Sequence, residues 1–491
     1  MSQIFNRTLL AKGGRRILET LEAAGKEAYL VGGAVRDLLL HKEPHDFDIV
    51  TSARPEEVIE IMEKAGYKTT NLVGKTFGIV VVAVPEGHYE VATFRSEVYG
   101  ADSHRPAKVT YADSLEEDVE RRDFTINAMA MDINGQIYDY VEGQRDIKKR
   151  RLRTVGAPAR RFQEDALRLF RACRFVGQLD FMPDKSLLKA MPEAFYRVSG
   201  LSLERVREEL DKLLLAPSAP KGLDVLVQSG LAACSCRITE NGQAIEVPIL
   251  PELSHLVNLP QHAAFHRFDG WYHTLAVVDN TPADLLLRWA ALLHDVGKGM
   301  PDVRGFHKGH ITDYGHDEVG ADIAAEIVKR LRYPKAFADR VSWLVRNHMH
   351  FVYFLREPKA NALKWVRKEA RSGLFRRSED LAEAFKQQAY ICAADALGTG
   401  YGDERSVAAM QGMGQYLQAL ARSVPIHTRD LAYPKELPQV CGKDTGRILQ
   451  NLLLRVQNGQ LENTSEALMA AAKKHRERLE KKKNIAQVKE D

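Results

Sequence analysis

The stretch "GGAVRDLLLHKEPHDFDIV", Gly32 to Val50, carries two aspartates, Asp46 and Asp48, on either side of one phenylalanine. "AYLVGG" just before it reads as a strand entering a glycine turn, "AVRDLLL" as a helix and "FDIV" as a second strand. Residues i and i+2 of a strand share a face, so the two carboxylates project together while Phe47 turns to the core. Side by side they repel one another unless a cation lies between them. Mg²⁺, held through one or two carboxylates plus substrate phosphates, suits such a pair. A two-metal clamp of this kind serves in-line displacement at phosphorus. Upstream, Gly32 and Gly33 let a ligand approach the backbone, and the helix near Ala34 offers free N–H groups to a polyphosphate. An Asp-x-Asp pair alone is a common surface feature and a lone Gly-Gly is a turn. The order strand, Gly-Gly, helix, Asp-x-Asp strand is far more specific.

Around this stretch, 491 residues exceed one ordinary core and call for about two to four domains. An apolar fraction of 45% with 28% charged residues is that of a globular, water-borne chain. No apolar run reaches the roughly 20 residues of a membrane span, and the N-terminus lacks the apolar core of a signal peptide. The cysteines, 173, 234, 236, 392 and 441, form no framework, so a cytoplasmic location is expected. The net charge of +4 is too small to define a partner, but its distribution is uneven. Arginine and lysine crowd "RDIKKRRLRTVGAPARRFQEDALRLFRACR" (145–174), a candidate phosphate-contacting region. The basic tail "KKHRERLEKKKN" reads as a solvated face.

The mixed α/β pattern, with "RPEEVIEIMEKAG" as an amphipathic helix and "GIVVVAV" and "YEVATFR" as paired strands, ends near Arg150. From Ala157 the apolar spacing is helical almost to the end.

"LVGGAVRDLLL…HDFDIV" resembles the signature of the class II nucleotidyltransferases, the bacterial tRNA nucleotidyltransferases (CCA-adding enzymes) and bacterial poly(A) polymerases. The resemblance runs on through "VATFRSEVYGADSHRPAKV", "EEDVERRDFTINAMAMD", "RFQEDALRLFRACRF" and "SLERVREEL", covering about residues 25–215. It implies an α+β chain: a polymerase-β-like head of mixed sheet and helices, then an elongated all-α neck, body and tail. The expected divisions are an N-terminal helix (1–25), the head (26–150), a base-recognising neck and body (151–262), a metal-dependent domain (263–400) and an RNA-binding tail (401–491). By the same resemblance Asp46 and Asp48 hold Mg²⁺ ions that activate an RNA 3′-hydroxyl and carry the triphosphate. Glu90 on the neighbouring strand is a candidate third carboxylate or a surface residue. Gly32, Gly33, Arg36, Arg122, Asp123 and Asn127 are implied to grip the ribose and triphosphate. An aspartate accepting from a 2′-hydroxyl would select ribonucleotides.

In "EDALR", Asp165 and Arg168 are neighbours if the segment is helical. A carboxylate beside a guanidinium offers an acceptor next to a donor. Cytosine and adenine present the complementary amino group beside a ring nitrogen; uracil and guanine present the reverse. Such a pair therefore accepts C and A and leaves polar groups mismatched for U and G. The family assigns this role to the matching residues. Glu164, one turn from Arg168, is placed to orient it. The family's switch between bases is tied to a flexible segment, for which "EVYGADSHRPAKVTYADS" (97–114) has a suitable place and composition.

Finally, "WYHTLAVV" supplies His273, "WAALLHDVGKG" His294 and Asp295, and "ICAADALG" Asp395. Their order resembles the HD phosphohydrolase superfamily, and imidazoles with carboxylates suit Mg²⁺ or a divalent transition metal. His316 and His348 lie where a second metal's ligands would fall. Lys298, His307 and His310 are candidate phosphate neighbours or surface residues. Some CCA-adding enzymes carry such a domain, acting as phosphatase and 2′,3′-cyclic phosphodiesterase. The expected function is CCA addition to tRNA from CTP and ATP, with no membrane partner and the oligomeric state open. The rivals are an A-adding-only enzyme, a poly(A) polymerase, or an HD phosphohydrolase with a nucleotide-sensing head.

Overall fold

In "IVVVAV" every second side chain is buried, so β-branched residues fit a pleated sheet with one face on the core. The structure, a computed structural model, describes residues 9–44, 46–71, 78–100, 106–356 and 361–487. The chain divides into two units, Met1–Ser254 and His255–Asp491.

The first unit opens with α1 (Leu9–Ala23), β1 (Ala28–Val31), α2 (Gly33–Leu39), β2 (Asp48–Thr51) and α3 (Pro55–Lys64). β3 (Lys68–Asn71), β4 (Ile79–Val84), β5 (Gly87–Thr93), β6 (Arg95–Tyr99) and β7 (Pro106–Tyr111) follow. α4 (Leu115–Glu120), β8 (Ala130–Met131), β9 (Ile137–Tyr138) and α5 (Gly143–Lys148) complete the head. Seven strands form one sheet in the order β3-β4-β5-β2-β1-β8-β9. β2 runs antiparallel to β1, with Val31 opposite Asp48, and parallel to β5, with Ile49 opposite Val91. This register puts Asp48 and Glu90 side by side at one end of the sheet. Val31, Val50, Phe94, Val119 and Ala130 are among the buried residues beneath it.

β6 and β7 pair separately. Between them, residues 101–105 of the expected switching segment lie outside the described residues.

The helical neck begins with α6 (Pro158–Glu164) and α7 (Leu167–Leu179). Phe175 of α7 meets Phe124 edge-on at 5.5 Å, tying neck to head through buried aromatic surface. The helical reading beyond Ala157 holds, with short ladders inserted. One is the hairpin Ser235–Glu240/Gln243–Pro248, closed at Asn241 and Gly242, both with positive φ.

The second unit is helical, its elements including Gly270–Asp279, Leu285–Leu293, His316–Arg330, Lys335–Asn347 and Ser378–Gly398. A second hairpin, Arg304–His307/His310–Asp313, is inserted, with Lys308 and Gly309 at positive φ in its turn. Leu437, Ile448, Leu452, Leu468 and Ala472 belong to a separate C-terminal core. No helix among the described residues is long and apolar enough to cross a membrane.

Candidate active sites

In the head, Phe47 is buried while Asp46 and Asp48 are exposed, but the strand begins only at Asp48, so Asp46 and Phe47 sit in the segment leading into it rather than in the expected strand. Asp48 is the first residue of β2 and pairs with Val31 of β1, while pairing with β5 begins at Ile49. Gly32 precedes α2 with φ 73°, a conformation costly for any residue with a Cβ. A Cβ there would also lie 3.5 Å from Arg122 Nη1 and 3.9 Å from Asp48 Oδ2. Glycine turn, acid and guanidinium thus gather about one point. Although the Asp48 side chain reaches solvent, the protein packed around it strips part of its water and, with Glu90 adding repulsion, raises its pKa against the pull of Arg122.

Arg122 is itself clamped. Its Nη2 lies 2.9 Å from Oδ2 of the fully buried Asp118, whose other oxygen holds Arg121 at 2.7 Å. Asp123 accepts from Arg171 Nε at 2.8 Å and from the Phe124 N–H at 2.7 Å. Burial works against its charge, but Arg171 outweighs burial and holds the pKa down to about 2. Asn127 donates to Asp123 at 3.3 Å and accepts from Arg36 Nη1 at 2.6 Å. Arg36, Asn127, Asp123 and Arg171 therefore form one continuous chain of polar side chains. Arg36 and Arg171 also lie 5.5 and 5.4 Å from the Phe175 ring centroid.

Asp165 and Arg168 differ from the uninterrupted helix that their spacing suggests. Asp165 is extended (φ −143°, ψ 105°), ends α6, and accepts from the Leu167 N–H at 2.9 Å. Arg168 lies in the first turn of α7; its Nη1 meets Glu164 at 3.0 Å and its Nη2 donates to the Arg121 carbonyl at 3.2 Å. Glu164 thus does hold Arg168. Burial pushes the Asp165 carboxyl up to about 6, against the pull of Arg168. The sequence reading missed Arg171, although it stands one turn beyond Arg168, and it missed Asp118, whose signal is its spacing to Arg121 and Arg122.

The second unit assembles its histidines at helix ends. Asp269 caps Gly270–Asp279 through the Tyr272 N–H, and Asp284 caps Leu285–Leu293 through the Leu287 N–H. His294 and His348 occupy C-terminal caps, where the helix dipole favours a cation, and His316 opens its helix. Gly297 is required for this convergence, since a Cβ there would strike the His316 carbonyl oxygen.

Two triads result: His273, His294 and Asp395, and Asp295, His316 and His348. All four histidines and Asp295 are buried. His273 Nε2 lies 3.1 Å from His294 Nε2, and His316 Nε2 lies 3.1 Å from His348 Nε2. The Nδ1 atoms of His294, His316 and His348 lie 2.8, 2.7 and 2.6 Å from the carbonyl oxygens of Ala291, Asp313 and Val345. Those carbonyls can only accept, so each Nδ1 carries the proton and each Nε2 turns a lone pair inward. Lone pairs and carboxylate oxygens crowded together with so few hydrogens fit divalent cations. Burial depresses His348 to about 4, which keeps its ring neutral. The structure therefore brings His316 and His348 together with the four ligands expected first. Lys298 lies 2.6 Å from Asp295.

Paired acids at the start of a strand beside a glycine turn, a helical neck and a six-residue histidine–aspartate cluster are the features expected of a nucleotidyltransferase head and an HD domain. Comparison with known families agrees: residues 28–153 match the Poly A polymerase head domain and residues 180–234 the probable RNA- and SrmB-binding site of polymerase A. Residues 271–397 match the HD domain. Residues 28–153 are thus similar to a poly(A) polymerase head and residues 271–397 to an HD domain. It is 48% identical over 214 residues to the CCA-adding enzyme of Streptococcus gordonii, covering 44% of this chain and 52% of that one. It is likewise 48% identical over 215 residues to the CCA-adding enzyme of a Geobacillus species, covering 44% and 52%. The chain thus spans about half the length of the curated relatives it matches. The crystal structure of the Bacillus stearothermophilus CCA-adding enzyme in complex with CTP aligns over 95% of this chain and 98% of that one, with 28% identity and a TM-score of 0.63.

Proposed function

We propose that the chain adds C, C and A to the 3′ end of tRNA from CTP and ATP. The observation that carries this reading is the gathering of Asp48, Arg122 and Gly32 about one point beside Asp46 and Glu90. Asp46 and Asp48, with Glu90 as a third carboxylate, would hold Mg²⁺, which would supply charge neutralisation and a more acidic hydroxyl. The RNA 3′-oxygen bonds to the α-phosphorus, the bond from that phosphorus to the bridging oxygen breaks, and pyrophosphate leaves. Gly32 and Gly33 admit the phosphates, while Arg122, fixed by Asp118, and Arg36, fixed by Asn127, position them. Asp123, held by Arg171, faces the ribose. Asp165 and Arg168 read the base, Asp165 accepting the amino proton of C or A and Arg168 donating to the ring nitrogen.

The six-ligand centre favours a second activity, hydrolysis of phosphoesters on a blocked 3′ end. There Asp295 spans the two triads and Lys298 supplies positive charge to a phosphate. A bound transition metal or Mg²⁺ provides an acidified water. The regenerated hydroxyl is what the head extends.

The test supplies purified protein with tRNAs ending before each of the last three positions and each nucleotide singly. Cytidine incorporation is expected on the two shorter tRNAs and adenosine on the third. Adenosine incorporation alone would replace this reading with that of an A-adding enzyme or a poly(A) polymerase.

A further inference from the structure

Among the ligands of the HD centre, Asp395 has the most exposed side chain, at 17%. It stands near the end of helix Ser378–Gly398, beside the turn formed by residues 399–401. Three contacts pin the loop 261–268 at this rim. Arg267 N–H donates to the Thr399 carbonyl at 2.8 Å, Tyr401 Oη donates to the Ala263 carbonyl at 3.1 Å, and Lys298 Nζ donates to Gln261 Oε1 at 2.9 Å.

Within the loop, one turn joins the His262 carbonyl to the N–H groups of Phe265 and His266 at 2.9 and 3.0 Å. His262 and His266, four residues apart, thus lie on one side of the turn. His266 meets the ligand His273 edge-on at 4.8 Å. His262 packs against Phe265 at 4.8 Å and against His310 of the inserted hairpin at 4.4 Å, with 34° between the two imidazole planes. Phe265 is nevertheless 56% exposed, and Arg267 of the same loop and Lys308 in the turn of the hairpin that carries His310 are exposed too. Folding gains little from a phenylalanine left that open. An open cluster of rings on the loop that borders the candidate metal ligands, with cationic side chains exposed on the same loop and hairpin, is an arrangement that binds unpaired bases, by stacking and phosphate attraction.

We propose that His262, Phe265 and His310 form a base-stacking subsite, so that the HD centre takes the unpaired end of a ribonucleotide chain bearing a terminal phosphoester. The inference rests on the phosphohydrolase reading of that centre. In the step itself a water oxygen bonds to phosphorus, the bond from phosphorus to the ribose oxygen breaks, and that oxygen takes the proton. Stacking acts on the penultimate part of the substrate and leaves this step to the metal ligands.

The experiment loads the full-length protein with Mn²⁺ and compares hydrolysis of a trinucleotide 3′-phosphate with that of p-nitrophenyl phosphate. Binding of the trinucleotide carrying a hydrolysis-resistant 3′-phosphorothioate is measured in parallel. Phe265→Ala and His310→Ala, both at exposed positions, should lower the ratio of kcat/KM values, trinucleotide to small ester, by about tenfold. Phe265→Trp should restore it. An unchanged ratio in both alanine variants overturns the subsite while leaving the phosphohydrolase reading intact. If the unsubstituted protein hydrolyses neither ester, that reading fails, and binding decides. Phosphorothioate affinity weakened about tenfold by Phe265→Ala then supports the subsite, and equal affinity overturns it.

Discussion

The two oxygens of Asp295 face different imidazoles: Oδ2 lies 3.2 Å from His273 Nε2, and Oδ1 lies 3.3 Å from His316 Nε2. One carboxylate therefore belongs to both triads, and Lys298 at 2.6 Å holds its pKa below the usual carboxylate range against burial. Asp295→Ala is expected to empty both sites at once. Elemental analysis of the metal-loaded protein should fall from about two ions per chain to none in the HD domain, and phosphoester hydrolysis should disappear. Retention of one tightly held ion would show the triads to be independent.

His348 tests the same centre from one side. Its Nε2 approaches His316 and Asp295 Oδ1, at 3.1 and 3.8 Å. His348→Ala should remove about one ion while the site of His273, His294 and Asp395 keeps its own. Loss of both ions, with the fold unchanged by circular dichroism, would contradict that division.

In the head, Asp48→Asn keeps the shape of the side chain and removes its charge. Nucleotidyl transfer should drop at least about a thousandfold, since the metal clamp loses a ligand. The Asp48 pKa lies above its ordinary value because desolvation and Glu90 oppose the charge, so the substitution should not lower Tm. A variant that still elongates tRNA at the original rate would remove Asp48 from the reaction.

What the sequence discloses depends on whether local period or distant packing sets the position. The in–out alternation of Asp46, Phe47 and Asp48 was legible although the strand itself starts only at Asp48, and the Gly-Gly turn was legible because glycine alone readily takes φ 73°, ψ −133° at position 32. The helix-end histidines were legible as a family pattern, although only packing through Gly297 brings His316 to Asp295. Arg171 was not legible as the partner of Asp123, because the pair spans 48 residues. The break at Asp165 was equally hidden, since "FQEDALRLF" has unbroken helical spacing and the Arg168 contacts to Glu164 and the Arg121 carbonyl are made across it. The inserted hairpins rest on positive φ at Asn241 and Lys308, which flanking polar residues conceal.

Arg171 carries a stability prediction. With Arg171 present, Asp123 is charged although buried; without it a buried carboxylate loses its main partner. Arg171→Ala should cost about 3–5 kcal/mol at neutral pH, read by urea unfolding. The folded-state pKa of Asp123 is near 2 and its ordinary value 3.8, so the contribution of the pair is present above about pH 4 and is lost as pH falls toward 2. A penalty that stays constant down to pH 2 would assign the loss to packing on Phe175 instead.

Asp165 shifts the opposite way. Its folded-state carboxyl titrates near 6 against an ordinary 3.8, so at neutral pH its buried charge opposes folding. The cost is absent below about pH 4, where the group is protonated in both states, and is fully present above about pH 6. Asp165→Asn should therefore raise Tm at pH 7.5 and leave it unchanged at pH 3.5. The charge is retained because only the ionised oxygen purely accepts; once protonated it presents a donor to the amino group of cytosine or adenine. For CTP and ATP, kcat/KM should fall as pH drops through about 6, a limb reporting the free protein. Asp165→Asn should lose this limb along with much of the preference for C and A over U and G, since an amide offers both donor and acceptor. If the acid limb persisted unchanged in Asp165→Asn, the titrating group would be another carboxylate, with Asp48 the first candidate.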